Sequence, residues 1–96
     1  MIQSFGNAST EDFFHGRNTS AARRIPAVIS QRLSDRLDVL NAATKLEAIA
    51  ATPGARLEAL KGRMKGWYSA RINDQFRIVF RWTAMGPSDV AWTDYH

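Results

Sequence analysis

The pattern of apolar and polar positions divides the chain into a helical first half and a strand-forming second half. Ile29, Leu33, Leu37 and Leu40 recur at spacings of four, four and three, so they share one stripe of a helix. Gln31, Arg32, Asp35, Arg36 and Asp38 fall on its other faces, and Pro26 suits its first position. Upstream, a short strand is expected around Ile2–Phe5. A short helix should follow, N-capped by Ser9, with Glu11 and Asp12 near its positive end, Phe13 and Phe14 buried, and a stop at Gly16. Residues 17–24 read as a polar connection. Thr44 and Glu47 have the spacing of a capping box, which predicts a third helix through Leu46, Ile49 and Ala50 that Pro53-Gly54 ends.

From Arg56 the period changes to two. Tyr68, Ala70 and Ile72 alternate with Ser69 and Arg71, and Phe76, Ile78, Phe80 and Trp82 alternate with Arg77, Val79 and Arg81. Asn73-Asp74-Gln75 is the turn between them. A three-residue loop pairs Ile72 with Phe76, Arg71 with Arg77 and Ala70 with Ile78, whereas a two-residue loop would set Arg71 against Phe76 and mix the faces. A last strand over Val90–Trp92 follows a turn at Ala84-Met85-Gly86-Pro87. The implied class is α+β, an antiparallel sheet with the N-terminal helices on one face.

Composition narrows this picture. The 96 residues suit one domain over 1–96. The absence of cysteine excludes a disulfide scaffold, a cysteine nucleophile and a thiolate metal site, and no two histidines have ligand spacing, so neither metal nor cofactor is expected. No run approaches the roughly 20 apolar residues of a membrane span, and the start lacks a signal-peptide pattern, so a cytoplasmic protein is expected. A net charge of +4 and a pI near 10.1 favour partners that carry phosphate or acidic groups. The charge is concentrated. Between 56 and 81 lie Arg56, Lys61, Arg63, Lys65, Arg71, Arg77 and Arg81, against Glu58 and Asp74 alone.

Arg71 opposite Arg77, with Arg81 on the same face, is a like-charge arrangement that needs an anion or a carboxylate nearby. Two readings fit. The face is solvated and locally paired, by Asp74 or Glu58, or it is a concavity whose guanidinium forks take phosphate. Lys61-Gly62-Arg63-Met64-Lys65-Gly66 is a basic loop without Walker spacing, either a flexible turn or a grip on a polyanion backbone. Trp67, Tyr68, Trp82, Trp92 and Tyr95 are core residues or base-stacking surfaces. The closing Asp94-Tyr95-His96 gathers a carboxylate, a phenol and an imidazole, while His15 reads as a surface or cap residue.

In order, Arg56-Leu57-Glu58-Ala59-Leu60-Lys61-Gly62, Gly66-Trp67-Tyr68-Ser69, Asn73-Asp74-Gln75-Phe76-Arg77-Ile78-Val79-Phe80 and the final Asp94-Tyr95-His96 resemble the HigB toxins. These belong to the RelE/ParE superfamily of bacterial toxin–antitoxin modules, and the likeness covers nearly the whole chain. The resemblance implies the RelE-like (microbial-RNase-like) fold, a twisted antiparallel sheet with helices packed on one face. It implies a metal-independent endonuclease acting on mRNA in the A site of the 70S ribosome. It also implies a HigA-type helix-turn-helix antitoxin, through which alone operator DNA would be bound. On the same basis Asp94, Tyr95 and His96 match the family's active-site terminus, Lys61 its Leu-Lys-Gly lysine, and Arg77 its strand arginine. Many members carry His-Pro before Leu-Lys-Gly, where this chain has Glu58-Ala59, as in a similar sub-branch.

RNA cleavage without metal needs a base for the 2′-hydroxyl, cations for the phosphorane and an acid for the leaving oxygen. The expected assignment is Glu58 or Asp94 as base, His96 as acid, and Lys61 and Arg77 as stabilisers. Tyr95 would position or stack a base, and Arg56, Arg63, Lys65, Arg71 and Arg81 would hold phosphates. Two other classes share the features: a ParE-type gyrase inhibitor, and a non-catalytic module whose basic face binds the antitoxin.

Overall fold

The computed structural model describes residues 1–94. Helices α1 (Ala8–Phe14), α2 (Ser30–Ala42) and α3 (Leu46–Ala50) precede strands β1 (Glu58–Ala59), β2 (Trp67–Arg71), β3 (Phe76–Thr83) and β4 (Gly86–Asp94). The strands form an antiparallel sheet in the order β1-β2-β3-β4, and the helices cover one of its faces. The stripe on α2 is the reason. Leu33 and Leu37 have no exposed surface, and with Ile29 and Leu40 they pack in one cluster with Ala70, Ile72, Ile78, Phe80 and Val90 of the sheet. Each of the larger side chains among them contributes about 1.5–3 kcal/mol on burial.

The hairpin register follows from the turn chemistry. Asn73 Oδ1 accepts from the backbone N–H groups of Gln75 (2.9 Å) and Phe76 (2.8 Å), and Ile72 N donates to Phe76 O at 2.9 Å. The turn therefore holds three residues, and Arg71 meets Arg77 while Ala70 meets Ile78.

Several local expectations are corrected. The N-cap of α1 is Asn7, whose Oδ1 accepts from Thr10 N at 2.9 Å, and not Ser9. Ser9 is buried because its Oγ accepts from Trp92 Nε1 at 2.9 Å, a tertiary contact that competes with the cap. Phe13 and Phe14 are half-buried against the edge of the core, and the helix stops at Phe14 before Gly16 in the left-handed region. Pro26 precedes a 3-10 turn over Ala27–Ile29, so α2 itself starts at Ser30. The capping box of Thr44 and Glu47 is not made; Lys45 sits at the N-cap of α3 without a side-chain bond. The last turn contracts to Ala84-Met85, and β4 begins at Gly86 instead of Val90.

The opening strand exists in another form. Residues 3–6 run parallel to β4: Gln3 N donates to Pro87 O (2.8 Å), Val90 N to Ser4 O (3.1 Å) and Gly6 N to Val90 O (2.8 Å). This covers the outer edge of β4. Gly86 makes the approach possible, since a Cβ there would lie 2.6 Å from the Met1 carbonyl oxygen. Helix α1 is tied to the same strand by Thr10, which is fully buried. Its Oγ1 donates to Asn7 Oδ1 (2.6 Å) and accepts from Trp92 N (3.0 Å). Thr10→Val keeps the shape but leaves Trp92 N–H without an acceptor. It should lower the unfolding free energy by about 1–3 kcal/mol, read from the midpoint of a denaturant titration.

Candidate functional site

Alternation along the strands sends Ala70, Ile78, Phe80 and Val90 to the core and leaves the opposite face to other residues. Three cross-strand rows cover that helix-free face. At one end Arg71 pairs with Arg77, and Arg77 with Thr93. In the middle Glu58 pairs with Ser69, Ser69 with Val79, and Val79 with Ala91. At the other end Trp67 pairs with Arg81, and Arg81 with Ser88. Glu58 thus stands in the row between the two arginines of β3. From strand and residue spacings its Cα lies about 12 Å from each.

The charges on this face are unequally compensated. Arg71 is ion-paired with Asp74, which is 95% exposed. Arg81 Nε donates to Asp89 Oδ2 at 3.2 Å. A register shift between Val79 and Arg81 accompanies the left-handed backbone of Asp89 (φ 52°), and this bulge brings its carboxylate to Arg81. The Nε and Nη1 atoms of Arg77 are buried. Glu58 is exposed, and its carboxylate has no ion pair or hydrogen bond among the described residues. The locally paired reading therefore holds at the two ends of the arginine face, through Asp74 for Arg71 and Asp89 for Arg81, while the middle row carries a carboxylate engaged by none of the described residues.

The other candidate residues are dispersed. Lys61, Arg63 and Lys65 are exposed in the loop from β1 to β2, around a 3-10 turn at Gly62–Met64, with no side-chain partner among the described residues. Leu60 N bonds Trp67 O, which sets Lys61 level with Gly66, and Gly66 O accepts from Trp82 N. That is five residues along the sheet from Arg77, or about 16 Å, so the two do not form one cluster. Asp94 pairs in register with Phe76, a core residue, which puts it on the helix-bearing side of the sheet, away from Arg77. There it accepts from Gln75 Nε2 (3.1 Å) and borders a cleft of about 310 Å³ with Asn7, Ser9, Arg24 and Trp92. Tyr95 and His96 lie outside the described residues. Of the other aromatic candidates, Tyr68 stacks on Phe80 (6.0 Å), Trp92 packs on Phe76 (5.6 Å) and Trp82 packs on the core; Trp67 shares the arginine face.

Arg56 belongs to a second basic region. It lies before β1 with a left-handed backbone (φ 43°) and borders a cleft with Arg71 and with Arg32 and Arg36 of α2. The sequence pattern places Arg32 and Arg36 only on the faces of the helix away from its apolar stripe. The available signal was their spacing of four residues, which stacks them beside the apolar stripe.

The α+β fold that presents this face is shared with solved toxins. One is a YoeB/ParE toxin from Agrobacterium tumefaciens (TM-score 0.57, 22% identity, 98% of this chain and 99% of that one). The YoeB dimer from Staphylococcus aureus is another (TM-score 0.52, 22% identity, 99% and 94%). A third is the YoeB–YefM complex from the same organism (TM-score 0.52, 20% identity, 100% and 98%). The family model for the RelE-like toxin of the type II toxin–antitoxin system HigB matches residues 3–96. Toxin HigB-1 of Vibrio cholerae is 42% identical over 82 residues, covering 85% of this chain and 84% of that protein. The chain belongs to the HigB-like toxin family.

One residue of the middle row carries a measurable cost. Ser69 Oγ is buried with no hydrogen-bond partner among the described residues. Ser69→Ala removes that unsatisfied group without opening a cavity, so it should raise the unfolding free energy, by about 1 kcal/mol. Equal or lower stability in a denaturant titration would contradict the isolation of this hydroxyl.

Proposed function

We propose that this toxin is an endoribonuclease that cuts mRNA on the ribosome and so stops translation, held in check by a helix-turn-helix antitoxin. The observation that carries the reading is the placement of Glu58. It shares the helix-free face with Arg77 and Arg81, and unlike Asp74 and Asp89 it is engaged by no arginine. A carboxylate that no arginine holds is available to accept a proton from the substrate, and the arginines in the rows on either side suit the charge that builds on phosphorus.

In this mechanism Glu58 takes the proton of the 2′-hydroxyl, and the 2′-oxygen attacks the adjacent phosphorus. Arg77 and Arg81 stabilise the dianionic phosphorane, Arg81 exchanging Asp89 for a phosphate oxygen. His96 protonates the departing 5′-oxygen, and Tyr95 positions a base beside it. Trp67, on the same face as the arginines, offers a stacking surface. Lys61, Arg63 and Lys65 grip the backbone of the strand further along the sheet. The register favours Glu58 over Asp94 as base, because Asp94 is aligned with the core side of β3. Positioning by the ribosome supplies the part of the rate that so small a set of groups leaves open. The antitoxin reading draws on the family and on the neighbour solved as a toxin–antitoxin complex.

The test is cleavage of a translated message by purified toxin, mapped at the new 5′ ends. Glu58→Gln and His96→Ala should each slow cutting by about 10²–10⁴-fold, with antitoxin binding intact. Arg77→Ala should lose activity partly through weaker binding. Undiminished cutting by both Glu58→Gln and His96→Ala would remove this site. Equally efficient cutting of naked RNA would remove the ribosome from the mechanism. A supercoiling defect without cuts would instead indicate gyrase inhibition.

A further inference from the structure

The cleft behind Arg71 is not used by that mechanism. Its volume is about 540 Å³, and its charged lining is Arg32, Arg36, Arg56 and Arg71 against Asp35 alone. Two of these guanidinium groups are fastened to backbone. Arg32 Nη1 donates to Ile72 O (3.2 Å), and Arg36 donates through Nε to Arg71 O (3.1 Å) and through Nη2 to Pro53 O (3.3 Å). Carbonyl oxygens fix the orientation of these groups but leave their charge in place. Burial, with the neighbouring charge of Arg32, pushes the Arg36 guanidinium below its ordinary value. Asp35 is engaged in part by Gln31 (3.0 Å), and Arg71 by Asp74 at the rim. Arg56 is exposed, has no side-chain partner among the described residues, and occupies a backbone region that costs a non-glycine residue of order 1–3 kcal/mol. Two oriented cations, Arg32 and Arg36, and two more arginines, Arg56 and Arg71, border one opening with too little acid to match them.

We propose that this cleft is a phosphodiester-binding subsite for the RNA substrate, continuing the arginine face past the end of β2. This rests on the endoribonuclease reading and adds to it a second stretch of the substrate path. Arg71 is the link, since it pairs with Arg77 on the sheet and also borders the cleft. Guanidinium forks held in fixed orientation match phosphate oxygens. No aromatic side chain among the described residues lines the cleft, so these residues grip the backbone without reading bases. This continuity with the arginine face favours a nucleic-acid strand over an acidic peptide, and the substrate strand over ribosomal RNA.

The experiment measures binding of an uncleavable 2′-O-methyl RNA of about 12 nucleotides, within the span of a single-strand groove, as a function of salt. The purified proteins are the wild type, Arg56→Gln, Arg56→Gly and Arg32→Gln. Arg56→Gly relieves the left-handed strain while removing the cation, so it stays folded, with a melting temperature at or above that of the wild type. Each variant should bind about tenfold more weakly, with the slope of log K against log salt reduced by about 0.7 for the lost contact. Wild-type affinity and slope in Arg56→Gly and Arg32→Gln would overturn the subsite while leaving the arginine face untouched. Failure of the wild type both to bind this RNA and to cut messages would overturn the endoribonuclease reading itself. Two further measurements fix the source of the anion. If the variants lose affinity only for mRNA-free ribosomes, the contact is with ribosomal RNA and the proposal falls. If they lose affinity only for the antitoxin, the occupant is an acidic protein segment and it falls likewise.

Discussion

Everything on the sheet depends on the count of residues in one turn. Asn73 uses a single side-chain oxygen to accept from the backbone of Gln75 and Phe76, and this holds Ile72 against Phe76. A strand slipped by one residue would send its apolar set to the opposite face. With the observed register, Ala70, Ile72, Phe76, Ile78 and Phe80 all enter the buried cluster that holds the leucines of α2, and arginines 71, 77 and 81 are all left on the other side. The gathering of like charges is thus a consequence of burying the core. The electrostatic cost of Arg71 opposite Arg77 is met locally by Asp74 in the turn itself, and at the far end by Asp89 in a bulge. Between those two clamps lies the one row that holds Glu58.

The layering explains why such a face can exist in so small a protein. The stripe on α2 covers one side of the sheet, and the other side needs no apolar cover if its residues are charged or small. Both edges are guarded. The N-terminal segment pairs along β4, and β1, at the opposite edge, has two residues and continues into a lysine- and arginine-bearing loop. Tethers from α1, through Thr10 and Ser9 to Trp92, join the helical layer to the last strand near the end of the described chain. The arginines of α2 do the same at the opposite corner, through the carbonyls of Pro53, Arg71 and Ile72.

Much of this was legible in the residues. The Ile29, Leu33, Leu37 and Leu40 spacing gave α2 and its buried side, and strict alternation with a polar triplet gave the β2–β3 hairpin and its register. Both signals are local, and both coincide with what the core rewards. The misplaced features lie where a tertiary contact outweighs a local one. Ser9 has the chemistry of an N-cap, yet Trp92, distant in sequence, claims its hydroxyl and the cap moves to Asn7. Asp94 and Lys61 stand near the other candidates in motif order. Strand alternation and the length of the β1–β2 loop separate them from Arg77.

The sequence alone determined the class of the fold, the hairpin pairing, the family and the concentration of charge after residue 56, because these follow from periodicity, turn chemistry and motif order. Only the tertiary structure decided which charges share a surface. Arg32 and Arg36 fall off the apolar stripe of α2, but in the fold they bond the carbonyls of Ile72 and Arg71 and share a cleft with Arg56 and Arg71, residues far along the chain. Glu58 stands between Arg77 and Arg81 because a two-residue edge strand pairs there, and two residues carry almost no periodic signal. Long-range pairing is fixed by the packing of whole layers. No window of local sequence contains it.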